Sequence, residues 1–212
     1  MKKKLMIFDV DGVLLDLEEG SYVWLLKKLG RGEEAKNVYE LYLRQRLRKP
    51  WGLEEFAQLF KGIEVKKIEK VIESSLPIME GAENVIIELK ERGYMIIAIS
   101  SAPSFLLKYL KKKLNLDRVY GSVLEVKDKK FTGRLIKKVD RYAKARELRK
   151  LMKEFEIKKE NVYVVGDSIT DISMARVVDH FIAFNPKDEV LEKYAEFVIK
   201  EKNLREILRF LK

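Results

Sequence analysis

Residues 4–13 of the chain read KLMIFDVDGV, and this stretch decides the fold. Its apolar first half is typical of a strand that is buried on both faces. Asp9 and Asp11 follow where that strand is expected to end, and alternation points both side chains the same way. Two such acids repel unless a cation or a shared proton relieves them, and Gly12 then permits a tight turn. The pattern predicts a metal-assisted site at the carboxyl end of a central strand, and the alternative is a polar strand exit without chemistry.

The composition restricts the class of protein. The chain has 212 residues, 47% of them apolar, which suits one large domain or one domain with a smaller insert. The absence of cysteine excludes disulfides and thiol catalysis. Charged residues reach 37%, a composition that is typical of hyperthermophile proteins. The basic start is followed by an apolar run that stops at Asp9, too short for a signal peptide or a membrane span. We therefore expect a soluble, cytoplasmic protein without a membrane partner.

The net charge of +10 is concentrated in one part of the chain. Residues 108–159 contain 19 Lys or Arg and 7 Asp or Glu, so the remainder is close to neutral. Such a region could bind nucleic acid or phosphate-rich substrates. A set of solvated, lysine-rich helices explains it more simply, and nucleic acid is therefore the disfavoured partner. The sequence leaves open whether the protein is a monomer or a dimer.

The order of patterns along the chain predicts an α/β fold with an insert. Residues 16–78 carry helical periodicity without a convincing strand. After this segment, helical patterns alternate with short apolar runs, which indicates parallel βαβ units. We predict a Rossmann-like parallel sheet core at 1–15 and 79–212 and an inserted α-helical cap domain at 16–78. The predicted later strands lie at 94–99, 161–165, 180–184 and 197–199, with a hairpin within 119–133.

Three predicted strands end in polar residues. The first ends in the Asp9 and Asp11 pair, the second in Ser100 and Ser101, and the third in Asp167 with Asp171 four residues on. The carboxyl ends of parallel strands meet at one edge of the sheet, so these groups should share a cleft. Carboxylate oxygens suit Mg²⁺, whereas one histidine and no cysteine make a zinc site a poor fit. Taken alone, Asp171 is equally well explained as an acid at a helix start.

These features together resemble the haloacid dehalogenase-like superfamily. Its four ordered signatures correspond to residues 9–13 (DVDGV), to Ser100 after a buried strand, to a lysine that opens a helix, and to residues 166–171 (GDSITD). The resemblance is closest to the phosphoserine phosphatase-like branch, which has a small helical cap. The segments that carry this closer resemblance are FTG at 131–133, DISM at 171–174 and NLREIL at 203–208.

The resemblance implies a role for each acid. Asp9 is expected to be the nucleophile and to form an aspartyl-phosphate. Asp11 is expected to protonate the leaving oxygen and then to activate water. An acid at this second position fits phosphatases and phosphomutases and disfavours dehalogenation. Mg²⁺ would be held by the Asp9 side chain, the Asp11 main-chain carbonyl and Asp167, with Asp171 as a further ligand or a support behind the ligands.

The resemblance also assigns residues to the phosphate. Ser100 is expected to hydrogen-bond it, with Gly12 and Ser101 beside it in the phosphate-binding loops. Lys144 matches the family lysine and would neutralise the charge on the nucleophile and the phosphoryl group. Lys137 and Lys138 are the alternatives for this role, and a lone lysine in a basic region is otherwise a solvated surface residue.

The sequence departs from the branch at substrate-recognition positions. Val13 replaces a threonine, and residues 100–102 (SSA) replace a serine-glycine-glycine loop. Glu18 matches a cap acid that binds the substrate amine. The cap arginine that grips a carboxylate would fall near Ala57, where there is none, and this loss argues against phosphoserine as the substrate. The predicted cap is also rich in aromatic residues, most of which we expect in its core and one or two at a substrate pocket.

The sequence therefore predicts a Mg²⁺-dependent phosphatase that hydrolyses a small-molecule phosphate monoester through a phospho-aspartate. One alternative is a phosphomutase of the β-phosphoglucomutase kind, which would share all four signatures. The other is a non-catalytic module that binds nucleic acid or protein on the same scaffold. The intact set of four aspartates argues against this last alternative.

Overall fold

A seven-stranded sheet runs through residues 4–211, the part of the chain that this computed structural model describes. The first three residues of the predicted core segment 1–15, and Lys212 at the far end, lie outside the described residues. The strand order is β4-β3-β2-β1-β5-β6-β7. The strands are β1 (Lys4–Phe8), β2 (Tyr94–Pro103), β3 (Arg118–Lys127), β4 (Lys130–Lys137), β5 (Val162–Gly166), β6 (His180–Phe184) and β7 (Phe197–Ile199).

Strand β1 lies at the centre of the sheet and is buried on both faces. It pairs in parallel with β2 on one side and with β5 on the other. Leu5 and Ile7 enter one hydrophobic cluster, while Met6 and Phe8 enter the cluster on the opposite face. The other strands are also parallel to their neighbours, except that β4 is antiparallel to β3. The predicted α/β class with a largely parallel sheet is confirmed.

Four helices form the segment that follows β1 in the chain, as the helical periodicity of residues 16–78 predicted. They are α1 (Ser21–Lys28), α2 (Gly32–Gln45), α3 (Leu53–Leu59) and α4 (Val65–Ser75). The chain leaves the sheet and returns to it at one place, because Asp16 N donates to Pro77 O at 2.9 Å and Met79 N donates to Leu14 O at 3.0 Å. The helices that follow are α5 (Ala82–Glu91), α6 (Ser104–Lys113), α7 (Arg141–Glu154) and α8 (Ile172–Ala175).

The N-terminus of α7 is capped as its sequence predicts. The side chain of Asp140 accepts hydrogen bonds from Tyr142 N and Ala143 N.

None of the helices within residues 4–211 has the length and apolar character that a membrane span requires. Many basic side chains in the 108–159 region pair with surface carboxylates, which fits a solvated surface. They include Lys113, Arg118, Arg134, Lys137, Lys138, Lys150 and Lys159.

Several element boundaries differ from the sequence expectation. Strand β2 continues through both serines to Pro103, with a register irregularity after Ile99. The hairpin is longer than expected, because β3 and β4 together span Arg118–Lys137. The two last predicted helices are 3₁₀ turns, at Glu189–Tyr194 and Leu204–Phe210. Short helical segments are commonly 3₁₀, and single-sequence periodicity cannot separate the two forms.

The four-helix region packs against the hairpin on one side of the sheet. Gly62 N donates to Phe131 O at 2.8 Å, and Phe131 N donates to Ile63 O at 2.9 Å. Beside these bonds the rings of Phe60, Phe105 and Phe131 contact one another, with centroids 5.2–6.3 Å apart. Phe60 is fully buried in this cluster. The ring cluster therefore joins the helical region to the sheet.

We expect Phe60→Ala to lower the free energy of unfolding by about 3–5 kcal/mol, because it removes a buried ring and leaves a cavity. Urea unfolding followed by circular dichroism measures this loss. Tyr142→Ala is the matched control, since that ring is 56% exposed and its truncation should cost about 0.5 kcal/mol or less. Equal losses in the two variants would contradict a role for the ring cluster in stability.

Candidate active site

The carboxyl ends of β1, β2 and β5 open into one cavity of about 150 Å³. The β1 end contributes Asp9, the last part of β2 contributes Ser100 and Ser101, and the β5 end contributes Asp167. Asp11, Glu18 and Lys144 also line this cavity. Gly12 and Asp171 lie directly behind the lining residues. Gly12 lies close to the side chain of Asp167, and Asp171 binds the ammonium of Lys144. The structure thus brings the sequence-predicted site residues together.

A buried ammonium lies at the centre of the site. Lys144, in the first turns of α7, places Nζ 2.9 Å from Asp9 Oδ2 and 2.8 Å from Asp171 Oδ1. Burial lowers the pKa of Lys144, but the carboxylates of Asp171 and Asp9 outweigh this effect and hold the pKa above its ordinary value. The other two candidate lysines lie elsewhere, because Lys137 pairs with Glu147 and Lys138 with Glu54.

Asp171 supports the loop that follows β5. One of its oxygens receives the Lys144 ammonium, and the other accepts from Asp167 N at 3.1 Å and Ser168 N at 3.2 Å. Burial raises the pKa of Asp171 to about 6, the charge of Asp9 adds to this rise, and Lys144 opposes it. These bonds fix the backbone that carries Asp167. Asp171 is therefore well suited to positioning a neighbouring ligand.

The carboxylate of Asp11 faces the helical region. Its Oδ2 accepts from Ser21 N and from Ser21 Oγ, both at 2.9 Å, while Oδ1 is buried without a hydrogen-bond partner among the described residues. Burial raises the pKa of Asp11 to about 6, opposed by the backbone hydrogen bond from Ser21. A carboxyl with this pKa can both give and take a proton near neutral pH.

The acidic side chains form a set that could hold a metal ion. Asp9, Asp167 and Asp171 each offer an oxygen, and these oxygens lie within 4.8 Å of one another. Asp9 Oδ1 is buried and has no hydrogen-bond partner within residues 4–211. Burial raises the pKa of Asp167 to about 7, although Lys187 lowers it in part. Clustered carboxylates of this kind fit Mg²⁺. The Asp11 side chain is outside the cluster, so only its main-chain carbonyl remains for the ligand role that the family resemblance implied.

A second ammonium at the site, that of the exposed residue Lys187, was missed in the sequence. Lys187 follows β6, and its Nζ lies 2.8 Å from Asp167 Oδ2 and 3.4 Å from Leu17 O. Its backbone N also donates to Asp167 O at 2.8 Å. Strand β6 is parallel to β5, so the residues that follow it reach the same edge of the sheet. Because β6 does not end in an acid or a hydroxyl residue, no local pattern marked the cation at this edge.

The outer wall of the cavity is largely aromatic. The lining residues there include Tyr22, Tyr39, Tyr42 and Trp51, whereas Trp24 packs against the hydrophobic core. With Phe56, five aromatic residues thus line the pocket where the sequence suggested one or two. The buried Ala57 offers no polar group. Arg46 and Arg141 also reach this wall, and neither was identified from sequence because their partners are distant in the chain.

The comparisons with known proteins agree with this geometry. The family model of haloacid dehalogenase-like hydrolases matches residues 6–176. The chain is 35% identical to a phosphoserine phosphatase of Methanocaldococcus jannaschii, covering all of this chain and 99% of that protein. It is 34% identical to one of Archaeoglobus fulgidus and spans 60% of that longer protein.

Solved structures show the same similarity. One is a phospho-aspartyl intermediate analogue of phosphoserine phosphatase, with a TM-score of 0.88, 34% identity and complete coverage of both chains. Another is an apo form of phosphoserine phosphatase, with a TM-score of 0.86, 33% identity and complete coverage of both chains. The similarity extends over the helical region as well as the sheet.

We expect Gly12→Ala to weaken Mg²⁺ binding by about tenfold or more, because an added Cβ would lie 1.9 Å from Asp167 Oδ2. Gly30→Ala is the matched control: its φ of +78° resembles the +84° of Gly12, but nothing lies within 4 Å of the added atom. Both variants should lose about 1 kcal/mol of stability from the positive φ. Isothermal titration with MgCl₂ separates them. Unaltered Mg²⁺ affinity in Gly12→Ala would contradict this role for Asp167.

With a metal chelator present, we expect the free energy of unfolding to fall as pH rises from about 4 to 7, because the carboxyls of the site lose their protons in this range. The raised pKa values of Asp11, Asp167 and Asp171 mean that the folded protein holds more protons than the unfolded chain in this range. Lys144 remains charged throughout and adds no pH dependence.

The matched variant isolates this effect from the other titrating groups. Asp11→Asn removes one carboxyl of raised pKa and should reduce the fall in melting temperature between pH 5 and 8 by roughly 3–6 °C. Thermal unfolding in EDTA, followed by circular dichroism, gives both curves. Parallel curves for the wild type and the variant would show that burial of Asp11 carries no such penalty.

Proposed function

The chain belongs to the haloacid dehalogenase-like hydrolase family, and from this premise we propose that it hydrolyses a small-molecule phosphate monoester through a phosphorylated Asp9, with Mg²⁺ as cofactor. One observation carries the proposal. Among the described residues, the Asp9 carboxylate has one oxygen held by Lys144 and the other buried without a hydrogen-bond partner, at a cavity of about 150 Å³. An oriented, partly neutralised carboxylate is an effective nucleophile.

In the first step an oxygen of Asp9 bonds to phosphorus while the bond from phosphorus to the alcohol oxygen breaks. Asp11 gives its proton to that leaving oxygen. In the second step Asp11 takes a proton from water, whose oxygen bonds to phosphorus as the aspartyl bond breaks. The pKa of about 6 at Asp11 suits both steps, since the two protonation states are accessible near neutral pH.

The oxygens of Asp9 and Asp167 and the main-chain carbonyl of Asp11 would hold Mg²⁺, with Asp171 as a ligand or as the support behind Asp167. When bound, the ion would stabilise negative charge on the transferred phosphoryl group. Lys144 supplies a fixed positive charge at Oδ2 of Asp9.

The phosphate would be bound by groups that line the inner cavity. Ser100 is 2% exposed, and its Oγ accepts a bond from Ala102 N at 3.3 Å, which leaves its hydroxyl hydrogen free to donate. Ser101 follows it in the last part of β2, and Gly12 lies in the turn after β1. Glu18, at the exposed edge of the cavity, would contact the alcohol part of the substrate.

We further propose that residues 16–78 act as a cap domain over a core formed by 1–15 and 79–212. The backbone bonds between Asp16 and Pro77 and between Leu14 and Met79 support these boundaries. A cover over the cavity would exclude water from the phospho-aspartate before the alcohol leaves.

Phosphoserine is the first substrate to test, because the relatives that match over the whole chain are named phosphoserine phosphatases. Those relatives also favour hydrolysis over phosphoryl transfer between positions of a sugar. Recognition of the serine carboxylate is the weak point, since no arginine stands within eight residues of Ala57 in the sequence. The chemistry proposed for Asp9 does not depend on this substrate.

We expect Asp9→Asn to lower Mg²⁺-dependent release of phosphate from p-nitrophenyl phosphate by at least about a thousandfold. Asp11→Asn should also slow turnover while leaving the nucleophile in place, so that acid quenching traps more phosphorylated protein than in the wild type. Asp16→Asn is the control, because that carboxylate is exposed and pairs with Lys202 outside the cavity. Normal turnover by Asp9→Asn, with chelated protein as a blank, would rule out the phospho-aspartate.

A further inference from the structure

The part of the cavity beyond the phosphate site presents rings. Tyr39 and Tyr42 stack with centroids 6.0 Å apart and an interplanar angle of 29°. Trp51 lies on the same side, in the segment that follows α2. Behind them Tyr22 stacks on Phe56 at 5.5 Å and 20°, which holds the wall in place. These rings form an apolar surface next to the position of the alcohol.

The two arginines of this wall are already engaged. Arg46 binds the carboxylate of Asp188 with both guanidinium branches, at 2.6 and 3.0 Å. Asp188 also accepts from Ile169 N at 3.0 Å, which fixes it against the loop after β5. Arg141 donates to the main-chain oxygen of Arg46. Arg46 is therefore not free to hold a carboxylate of the substrate, whereas Arg141 uses one amino group on the backbone of the wall.

The remaining charges of the wall do not favour an acidic alcohol. Lys49 is exposed at the rim. Glu18 and Glu19 line the same part of the cavity, and Glu19 is paired with Lys27. A carboxylate on the alcohol would approach Glu18, and the ammoniums of Lys144 and Lys187 are already paired with carboxylates of the site. A neutral or positively charged group avoids this repulsion.

We infer that the alcohol part of the substrate carries a planar ring and no carboxylate, and that this ring packs against Tyr39, Tyr42 and Trp51. The inference rests on the proposed function, since it assumes that phosphate binds beside Asp9. It deepens that function by naming the class of phosphate monoester. Stacked ring contacts and burial of a ring face would supply the affinity.

The test compares three esters whose leaving groups are all alkoxides: benzyl phosphate, ethyl phosphate and O-phosphoserine. With Mg²⁺ present, we expect kcat/KM for benzyl phosphate to exceed that for ethyl phosphate at least about tenfold. O-phosphoserine should not exceed ethyl phosphate. Phosphoserine as the best of the three, or no preference for the ring, would overturn the inference while leaving the hydrolysis intact. Failure of all three esters would overturn the proposed function itself.

Variants then locate the ring. Trp51→Ala should lower the benzyl-to-ethyl ratio of kcat/KM by about threefold or more. Leu47→Ala is the matched control, because that side chain in the same segment is 71% exposed and does not line the cavity. Tyr39→Ala serves as a second variant if the first does not fold. An unchanged ratio in the folded wall variants would overturn the assignment of the ring to this wall.

Binding without turnover gives an independent readout. The chain has two tryptophans, so Trp24→Phe leaves Trp51 as the one indole fluorophore. Benzylphosphonate, which has no bond that the enzyme can hydrolyse, should change the Trp51 emission with saturation, and ethylphosphonate at the same concentration should change it far less. Equal responses to the two phosphonates would contradict contact between the ring and Trp51.

Discussion

The ammonium of Lys144 between Asp9 and Asp171 is the interaction on which the rest of the site depends. All three groups are buried, so each is costly to desolvate unless the others are in place. The ion triad joins the end of β1, the first turns of α7 and the loop after β5, three elements that are distant in the chain. Loss of any one partner would leave an uncompensated charge in the interior. This constraint fixes the side chain of Asp9 and the backbone of Asp167 together.

The charge balance of the site explains why it suits a cation. Four carboxylates, those of Asp9, Asp11, Asp167 and Asp171, lie near two ammoniums, those of Lys144 and Lys187. Burial raises the pKa of three of these acids. Protons therefore bind to them more readily and relieve the excess negative charge. A divalent cation would relieve it equally well at neutral pH. Gly12 belongs to the same constraint, because Asp167 occupies the space that a Cβ would need.

The sequence predicted the features that depend on local pattern. Alternation placed Asp9 at the end of a central strand, and the parallel arrangement brought Ser100 and Asp167 to the same edge. It could not predict contacts that depend on packing between distant segments. Arg46 and Asp188 are 142 residues apart, and nothing local marks them as a pair. The end of β2 was also misplaced, because the serines that signal a loop continue as strand through a register irregularity.

The division between the sheet and the inserted helices has a consequence for substrate choice. In the proposed reaction the buried charges at the strand ends would contact the phosphate, so their spacing could not change without loss of the chemistry. The helical wall would contact the alcohol, and apolar surface can be varied there at modest cost. Arg46 links the wall to Asp188 and thereby to Ile169 in the loop after β5. A chain could therefore keep the carboxylates at its strand ends while its aromatic wall selects a different alcohol.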